Sequence, residues 1–331
     1  MKAWAKARAL WAVAPGVAEI REETLAAPAP DQLLVRTLAT GISRGTERLV
    51  HAGRVPEGQW ETMRAPLQDG NFPFPVKYGY AAVGRVEAGP AERLGQRVFC
   101  LHPHQDLFLA PAAMCHAVPD GVPDRRAVLA ANLETALNIT WDAAPLPGER
   151  ILVIGAGVVG LLAAWLMARI PGTVVTVVDT DEGRRPVAEQ LGARFALPED
   201  GPDEQELIVH ASANPAGLRQ ALSHAAFEAR ILEASWFGDR AVSLPLGEAF
   251  HSRRLTLRST QVGAVSPVMR HRRSYADRMA LALSLLNSPL LDALAGPAIR
   301  FDDLPGRMQE ILGAPPPGQL APLCPVITYA S

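Results

Sequence analysis

The sequence predicts an α/β protein in which a β-rich domain is combined with a doubly wound parallel sheet. Residues 1 to about 118 contain short alternating or β-branched runs separated by Gly and Pro clusters, which predicts a small barrel or sandwich. After the Pro-rich stretch at 119–123, apolar runs alternate with stretches of helical periodicity, which predicts parallel strands joined by helices. The 331 residues suffice for two compact domains.

The clearest strands of the first segment are at residues 32–38 and 81–87. The second segment is predicted to contain, in order, a helix at 125–141, a strand at 151–154, a helix at 158–169, a strand at 173–178, a helix at 184–191, a strand at 206–210, a helix at 216–225 and a strand at 229–234. Runs such as 174–178 are almost continuously apolar, as expected for strands covered on both faces.

The alternation fades near residue 263. One more helix is predicted at 275–286, and a final strand at 326–329 follows a Pro-rich stretch. We interpret this tail as returning to the first domain. The predicted domains are therefore residues 1–120 with 262–331, and an inserted domain at 121–261.

A glycine motif at the start of the inserted domain is the strongest functional signal. Gly155, Gly157 and Gly160 form a G-x-G-x-x-G motif that follows an apolar strand and opens an apolar helix at Val158 and Val159. The three glycines would allow a tight turn, close approach of a pyrophosphate and close packing of helix on strand. The free N–H groups of the helix start would bind the diphosphate. The motif therefore predicts a Rossmann dinucleotide-binding domain.

The second strand of this domain ends in Asp179, which bears on the choice of dinucleotide. A carboxylate there can accept hydrogen bonds from both ribose hydroxyls of an adenosine and would repel a 2′-phosphate. NAD is therefore favoured as the cofactor. Arg184 and its neighbour Arg185 lie close behind, and they leave NADP as the alternative.

Composition argues against several other classes of protein. The net charge is −2 and no basic block is present, so there is no reason to expect nucleic acid as a partner. The three cysteines lack C-x-x-C spacing, which argues against a disulfide framework or an all-cysteine zinc site. The N-terminus lacks a signal-peptide pattern, and the longest apolar stretch, residues 161–170, is too short to span a bilayer. We expect a cytoplasmic protein without a membrane segment.

Four short segments and the glycine motif together resemble the medium-chain dehydrogenase/reductase family. The segments are GISRGTE at 41–47, VKYGYAAVG at 76–84, LGQRV at 94–98 and VPDG at 118–121. The resemblance covers essentially the whole chain. It implies a GroES-like catalytic domain split by the Rossmann domain, and a hydride transfer between a nicotinamide cofactor and an alcohol or carbonyl group of a small-molecule substrate. It also implies association, for which we expect a homodimer.

The sequence departs from the zinc-binding members of that family at each metal position. Ser43 stands where they have a cysteine ligand, and Tyr80 and Ala81 stand where they have a Gly-His-Glu segment. Their third ligand falls near Ala131 or Asn132, and the four-cysteine structural-zinc lobe is missing. Hydroxyl and amide groups do not replace thiolate and imidazole around zinc. We therefore predict no zinc and no other metal.

Without a metal, the protein must supply hydrogen-bond donors or a proton relay for the reacting oxygen. The catalytic candidates are Ser43 and Tyr80, which take zinc-ligand positions, and His102 and His104, which follow a predicted strand near the cleft rim of relatives. Tyr80 is the best donor because a neutral phenol can polarise a carbonyl. For Tyr80 the alternative is a hydrophobic plug, and for the histidines it is a loop without substrate contact, since Pro103 separates them.

The resemblance also assigns cofactor contacts outside the glycine motif. Arg44 would contact the pyrophosphate, Thr135 the nicotinamide, Ser212 the nicotinamide ribose, and Trp236 the wall of the nicotinamide pocket. The alternative for Trp236 is interdomain core. Glu47 is interpreted as an ion-pair partner of a neighbouring arginine.

Several functions remain open at this stage. The main hypothesis is an NAD-dependent, zinc-independent alcohol dehydrogenase or carbonyl reductase. Residues 41–48 resemble most the zinc-free branch that contains bacteriochlorophyllide dehydrogenase, which oxidises a hydroxyethyl side chain of a chlorin with NAD. A quinone or enone reductase is a second alternative. A non-catalytic dinucleotide-binding protein is the third.

Overall fold

The computed structural model describes residues 4–316 and 318–330 of the chain. The structure divides into two units, of which unit 1 comprises Met1–Ala131 and Met279–Ser331 and unit 2 comprises Asn132–Arg278. The predicted domain boundaries, at 121 and 261, both fall earlier in the chain. Residues 1–3, 317 and 331, which the predicted domain ranges include, lie outside the described residues.

Unit 1 is built mainly from antiparallel strands. They are β1 (Ala5–Ala14), β2 (Val17–Leu25), β3 (Gln32–Gly41), β4 (Asp69–Gly70), β5 (Val76–Lys77), β6 (Ala82–Ala88), β7 (Arg97–Cys100), β8 (Leu107–Pro111), β9 (His116–Ala117), β16 (Ala295–Arg300) and β17 (Cys324–Thr328). Within the described residues they form a four-stranded sheet, ordered β2-β1-β5-β4, and a seven-stranded sheet, ordered β16-β17-β3-β6-β7-β9 with β8 on β3. Strand β17 pairs antiparallel with β3, so that Val326 lies opposite Gly41.

The helices of unit 1 are short. They are α1 (Arg44–His51), α2 (Asp124–Ala127) and α8 (Leu304–Leu312), with 3-10 turns at Glu57–Gln59, Ala91–Arg93, Ala112–Met114, Pro289–Leu294 and Phe301–Asp303. Helix α8 presents Leu304, Met308 and Ile311 to a core that also contains Ile42 and Ile327. This packing places the start of α1 beside the last strand of the chain.

Unit 2 is a parallel sheet covered by helices. Its elements are α3 (Ala130–Ala143), β10 (Arg150–Ile154), α4 (Val158–Met167), β11 (Val174–Val178), α5 (Arg185–Gln190), β12 (Arg194–Ala196), β13 (Gln205–His210), α6 (Pro215–His224), β14 (Ala225–Glu233), β15 (Thr256–Ser259) and α7 (Tyr275–Leu285), with 3-10 turns at Glu182–Arg184 and Pro198–Asp200 and a π turn at Leu246–Phe250. Helices α3 and α7 each cross a boundary between the units.

The sheet of unit 2 has the strand order β12-β11-β10-β13-β14-β15, and all its pairings are parallel. The order reverses direction at β10, whose residues Ile151–Ile154 are buried on both faces. In such sheets the ligand site lies beyond the carboxyl ends of the strands at this reversal. The predicted doubly wound sheet is confirmed.

Two predicted helices differ in detail from the structure. The helix predicted at 125–141 is two helices, α2 and α3, because the backbone leaves the regular spacing at Val128 and Leu129, where the amide of Leu129 bonds the carbonyl of Arg126. The helix predicted at 184–191 begins as a 3-10 turn and becomes α5 only at Arg185. Within residues 4–316 and 318–330, the helices are all too short or too polar to cross a bilayer.

Candidate active site

The glycine turn between β10 and α4 has a tightly constrained backbone. Gly155 has φ 111°, and a Cβ built there would lie 2.8 Å from the amide nitrogen of Ser212. A Cβ on Gly160 would lie 2.0 Å from the carbonyl oxygen of Gly155. Only glycine fits either position, because backbone atoms cannot move aside as a flexible side chain does. The turn therefore requires its first and third glycines for its own geometry.

Gly157 differs from the other two glycines because it faces open space. It is exposed, it caps the amino end of α4, and a Cβ built on it would meet nothing within 4 Å. The next residues, Val158 and Val159, start the helix and contribute amides that have no partner within an α-helix. The exposed backbone of Gly157 and the positive end of α4 are groups that could hold a phosphate.

Asp179 follows β11 directly and is fixed against this turn. Its Oδ2 accepts a hydrogen bond from the amide of Ala156 at 2.7 Å, and its Oδ1 accepts one from Asp181 N at 3.0 Å. A carboxylate oxygen can accept two hydrogen bonds, so each oxygen retains capacity for a ligand hydroxyl. Arg184 is half-buried nearby; burial lowers its pKa, while the charges of Asp179 and Asp181 act in the opposite direction.

The four remaining predicted cofactor residues occupy four different places. Ser212 follows β13, and its Oγ lies 2.7 Å from Nε2 of His210. Trp236 is half-buried in the segment that follows β14, and Thr135 is half-buried on α3. Arg44 begins α1 in unit 1, where its guanidinium donates to the carbonyls of Ile311 at 2.7 Å and Gly313 at 2.9 Å. These two hydrogen bonds fix the guanidinium of Arg44 to the carboxyl end of α8. The pyrophosphate contact of Arg44 stays a prediction.

Unit 1 contains a continuous chain of buried polar side chains. The carboxylate of Glu47, for which the sequence predicts an arginine partner, accepts from Ser43 N at 2.7 Å and lies 3.0 Å from Nε2 of His104. On the other side of the ring, Nδ1 of His104 lies 2.7 Å from Oγ1 of Thr40, which is 3.0 Å from the Tyr329 hydroxyl. We call these residues the Glu47–His104 network.

Tyr80 lies beside this network and keeps its proton at neutral pH. Burial and the charge of Glu47 raise the pKa of Tyr80 to about 12, against the lowering effect of hydrogen bonds with Ser43 and Thr46. Its ring packs edge-on against Tyr78, with centroids 6.0 Å apart. The structure thus brings together three of the four catalytic candidates, Ser43, Tyr80 and His104, around Glu47.

His102, the fourth candidate, lies in a different environment. Its ring is stacked on Phe108 with centroids 3.9 Å apart, and its Nδ1 bonds the carbonyl of Pro103 at 2.9 Å. Burial lowers the pKa of His102 to about 3, so the ring is neutral near pH 7. Strand β7 ends at Cys100, so the two histidines lie in a loop and not on one strand face. His104 alone of the pair joins the Glu47–His104 network.

A small pocket lies next to this network. It has a volume of about 20 Å³, enough for one water-sized molecule, and its lining includes Glu47, His51, Tyr78 and His104. His51 is 6% exposed, and among the described residues neither of its ring nitrogens has a hydrogen-bond partner. Burial lowers the pKa of His51, whereas the nearby backbone of Gly16 and the charge of Glu47 act in the opposite direction. No local pattern in the sequence points to this histidine.

The side chains near the family's zinc position do not fit that metal. Ser43 offers a hydroxyl, Tyr80 a protonated phenol and Ala81 no donor. A Cβ built on Gly41, at the end of β3, would lie 3.0 Å from Sγ of Cys324, and burial raises the pKa of this thiol to about 12. In the part of the chain that the structure describes, no three His, Cys, Asp or Glu side chains are grouped as metal ligands.

The sequence indicates Ser43, Glu47 and His104 of the Glu47–His104 network, but it gives no sign of Thr40 or Tyr329. Glu47 lies in the first turn of α1, four residues after Ser43, whereas a capping box has its acid three residues after the cap. Thr40 and Tyr329 are 289 positions apart and meet only because β17 pairs with β3. Nothing in the local sequence indicates that contact.

Comparison with known protein families gives one partial match. The model of the alanine dehydrogenase/PNT C-terminal domain matches residues 143–234. This range runs from the end of α3 to the residue after β14, and it includes the glycine turn and Asp179.

Two curated relatives match parts of the chain. An uncharacterized zinc-type alcohol dehydrogenase-like protein of Haemophilus influenzae is 30% identical over 144 residues, which cover 40% of this chain and 42% of that protein. The glucose 1-dehydrogenase of Thermoproteus tenax is 30% identical over 250 residues, which cover 65% of this chain and 71% of that protein. The chain thus spans less than half the length of the first relative.

Among solved structures, a short chain alcohol dehydrogenase from E. coli CFT073, complexed with cofactor NADH, is similar with a TM-score of 0.78. It is 17% identical, and the match covers 98% of this chain and 100% of that chain. At this identity the likeness shows the fold alone. The predicted combination of a β-rich GroES-like domain with a Rossmann domain is confirmed.

Proposed function

The chain belongs to the medium-chain dehydrogenase/reductase superfamily, which includes the zinc-type alcohol dehydrogenase-like proteins, and on this premise we propose that it is an NAD(P)-dependent oxidoreductase. The proposed reaction moves a hydride between a nicotinamide cofactor and an alcohol or carbonyl group of a small molecule. The observation that carries the proposal is the glycine turn of unit 2, where the backbone at Gly157 faces open space beside the helix start.

The residues proposed to hold the dinucleotide are those of the glycine turn and the strand ends around it. The amides at Val158 and Val159 would bind the pyrophosphate, and Asp179 would accept the hydroxyls of the adenosine ribose. Because Asp179 carries the charge that repels a 2′-phosphate, NAD is the proposed cofactor, with NADP as the alternative that Arg184 permits. When bound, the nicotinamide supplies the carbon that accepts or donates the hydride.

Tyr80 is proposed as the group that stabilises the reacting oxygen. Its phenol stays protonated because burial raises its pKa to about 12, so it can donate a hydrogen bond at neutral pH. Ser43 and Thr46 orient the phenol through their hydroxyls. Beside it, Nε2 of His104 donates to the Glu47 carboxylate at 3.0 Å, so the ring's Nδ1, which faces Oγ1 of Thr40, is the atom that can accept a proton.

We propose that this chemistry proceeds without zinc. Support comes from the donor set, since Ser43, Tyr80 and Ala81 replace the ligands of the zinc-binding members. A preorganised neutral donor can substitute for a Lewis acid by contributing roughly 10²–10³ in rate.

Residues 41–48 favour one specific variant of the reaction. Their sequence, GISRGTER, is the segment that resembles the bacteriochlorophyllide dehydrogenase branch. The variant is oxidation of the hydroxyethyl side chain of a chlorin by NAD.

The experiment is an absorbance assay of reduced nicotinamide with a panel of substrates. Secondary alcohols, polyols and a hydroxyethyl chlorin are offered with NAD or NADP, and carbonyls, quinones and enones with the reduced cofactors. We expect turnover of an alcohol–carbonyl pair, faster with NAD(H), unchanged by a zinc chelator, and less than one zinc per chain by metal analysis. Loss of turnover with the chelator and recovery with zinc would refute the metal-free mechanism. Cofactor binding without turnover of any class would identify a non-catalytic protein.

A further inference from the structure

Three side chains are joined by hydrogen bonds at the carboxyl ends of β13 and β14. Oε2 of Glu233 lies 2.7 Å from Nδ1 of His210, and Nε2 of the same ring lies 2.7 Å from Oγ of Ser212. The His210 ring is fully buried, whereas Ser212 and Glu233 are half-buried. The chain of bonds therefore runs through a buried ring to a serine at the rim of the sheet.

The chemistry of the three groups fixes the direction of these bonds. A carboxylate only accepts, so Nδ1 of His210 donates to Glu233. In the neutral ring Nε2 is then an acceptor, and the hydroxyl of Ser212 donates its proton to it. Ser212 Oγ consequently turns its lone pairs away from His210. One of them accepts from Asn214 N at 3.2 Å, and the other can accept from a further donor.

The surrounding backbone is shaped around this pair. A Cβ built on Gly217 of α6 would lie 2.8 Å from Ser212 Oγ and 2.9 Å from His210 Nε2. A larger side chain there would therefore displace the Ser212 hydroxyl or the His210 ring. Ser235 closes the other side, since its amide donates to Glu233 Oε1 at 2.6 Å and its Oγ accepts from Ala213 N at 3.0 Å.

The sheet order places Ser212 opposite Asp179. Strand β10, which leads into the glycine turn, lies between β11, which ends before Asp179, and β13, which ends before Ser212. The backbone of Ser212 packs directly on Gly155 of the turn. A dinucleotide whose pyrophosphate lies at the start of α4, with its adenosine at Asp179, would extend its other half toward Ser212.

We propose that Glu233 and His210 are positioning residues that hold Ser212 Oγ as a hydrogen-bond acceptor for a hydroxyl of the ribose next to the nicotinamide. This inference rests on the proposed function. It gives a role to the hydrogen-bonded pair of Glu233 and His210 at the ends of two sheet strands, a pair that the proposed hydride transfer does not use.

The same three residue types also form hydrolytic triads, but the backbone here does not support that use. An activated serine needs free backbone amides to stabilise the oxyanion. The two amides that follow Ser212 are engaged, since Ala213 N donates to Ser235 and Asn214 N donates to Ser212 itself.

The experiment is calorimetric titration of the whole chain with NADH, ADP-ribose and ADP. ADP-ribose contains the second ribose without the nicotinamide, and ADP lacks both. We expect Ser212→Ala, His210→Asn and Glu233→Gln each to raise the Kd for NADH and ADP-ribose about fivefold to tenfold, the size of one hydrogen bond. The Kd for ADP should change less than about twofold. Ser223→Ala, an exposed serine on α6, is the control variant.

The outcomes separate this inference from the function on which it rests. Equal weakening of NADH and ADP would show a merely structural role and overturn the inference. Unchanged NADH and ADP-ribose binding in Ser212→Ala would also overturn it, while leaving the proposed function in place. If the unmodified protein bound none of the three ligands, the proposed function and the inference would fail together.

Discussion

At the scale of single residues, the chemistry proposed for unit 1 depends most on the hydroxyl of Tyr80. Its ring is held by the edge-on contact with Tyr78, whereas its hydroxyl is held by Ser43 and Thr46. A phenylalanine at position 80 would keep the ring contact with Tyr78 and lose the hydrogen bonds of the hydroxyl. One substitution therefore separates the two interactions.

We expect Tyr80→Phe to lower kcat about 100-fold, because one preorganised donor to the reacting oxygen is removed. The Kd for the cofactor and the melting temperature should stay close to those of the unmodified protein. Steady-state kinetics on the substrate found in the panel, with Tyr275→Phe as the exposed control, measures this. A kcat within threefold of the unmodified enzyme would remove Tyr80 from the reaction.

A second prediction concerns His102, because the folded chain buries its ring in the neutral form. Its pKa falls from the ordinary 6.5 to about 3 in the folded chain, chiefly because burial disfavours the charged ring. Below pH 6.5 the unfolded chain takes up a proton that the folded chain refuses. The stability contributed by neutral His102 is therefore complete above pH 6.5 and is lost as the pH falls toward 3.

We expect the free energy of unfolding to drop by about 3 kcal/mol more between pH 6.5 and pH 4 in the unmodified protein than in His102→Gln. Urea denaturation at several pH values measures both, and His271→Gln, on an exposed loop, is the control. Parallel pH dependences for His102→Gln and the unmodified protein would contradict the prediction.

The sequence could identify Ser43, Tyr80 and His104 as candidates because they stand in segments that resemble a known family. It could not distinguish His104 from His102, since the two residues are chemically alike and two positions apart. The difference arises from Phe108 and Glu47, which pack against one ring each. Such contacts depend on how strands β3, β7 and β8 come together, which local patterns do not specify.

At the scale of elements, the β10–α4 turn was predictable because its glycines, its apolar strand and its apolar helix all agree. The structure adds that the three glycines have separate physical roles. Gly155 and Gly160 are required by backbone contacts within the turn, and Gly157 is required only if a ligand approaches it.

These separate roles predict that an alanine substitution at one glycine lowers folding stability, whereas a substitution at another lowers cofactor affinity. Gly160→Ala should lower the free energy of unfolding by about 2 kcal/mol or more, because its Cβ would collide with the Gly155 carbonyl. Gly157→Ala should change it by less than about 1 kcal/mol and should instead raise the cofactor Kd roughly tenfold. Urea denaturation and cofactor titration of both variants test this. A destabilised Gly157→Ala with normal cofactor affinity would contradict the assignment.

The helices α1 and α8 were not predicted, and the reason lies in their composition. Helix α8 has apolar residues at helical spacing, Leu304, Met308 and Ile311, but Pro305 and Gly306 in its first turn obscure the pattern. Helix α1 has only Leu49 and Val50 as apolar residues, too few to reveal a period. Tertiary packing supplies the stability that these sequences lack alone.

At the scale of the whole molecule, the helical sequence pattern begins at a different residue from the boundary between the two units. Residues after 121 begin the helical pattern, yet Arg126 still bonds Asp292 of unit 1, with Nη2 and Oδ2 2.7 Å apart. The chain passes from unit 1 to unit 2 within helix α3 and returns within helix α7. Neither boundary lies at the Pro-rich stretch. The periodicity of apolar residues predicts secondary structure. It does not predict which element an amphipathic helix packs against.

The central claim is that unit 2 holds a nicotinamide dinucleotide on the glycine turn with Asp179 at its adenosine end. The direct measurement is calorimetric titration of the whole chain with NAD, NADH and NADP, repeated on Asp179→Ala and on Asp200→Ala, an exposed acid in the same unit. We predict saturable binding that favours NAD over NADP, weakened NAD binding and lost discrimination in Asp179→Ala, and no change in Asp200→Ala. Absence of binding heat and of any thermal shift with every one of these coenzymes would contradict the account.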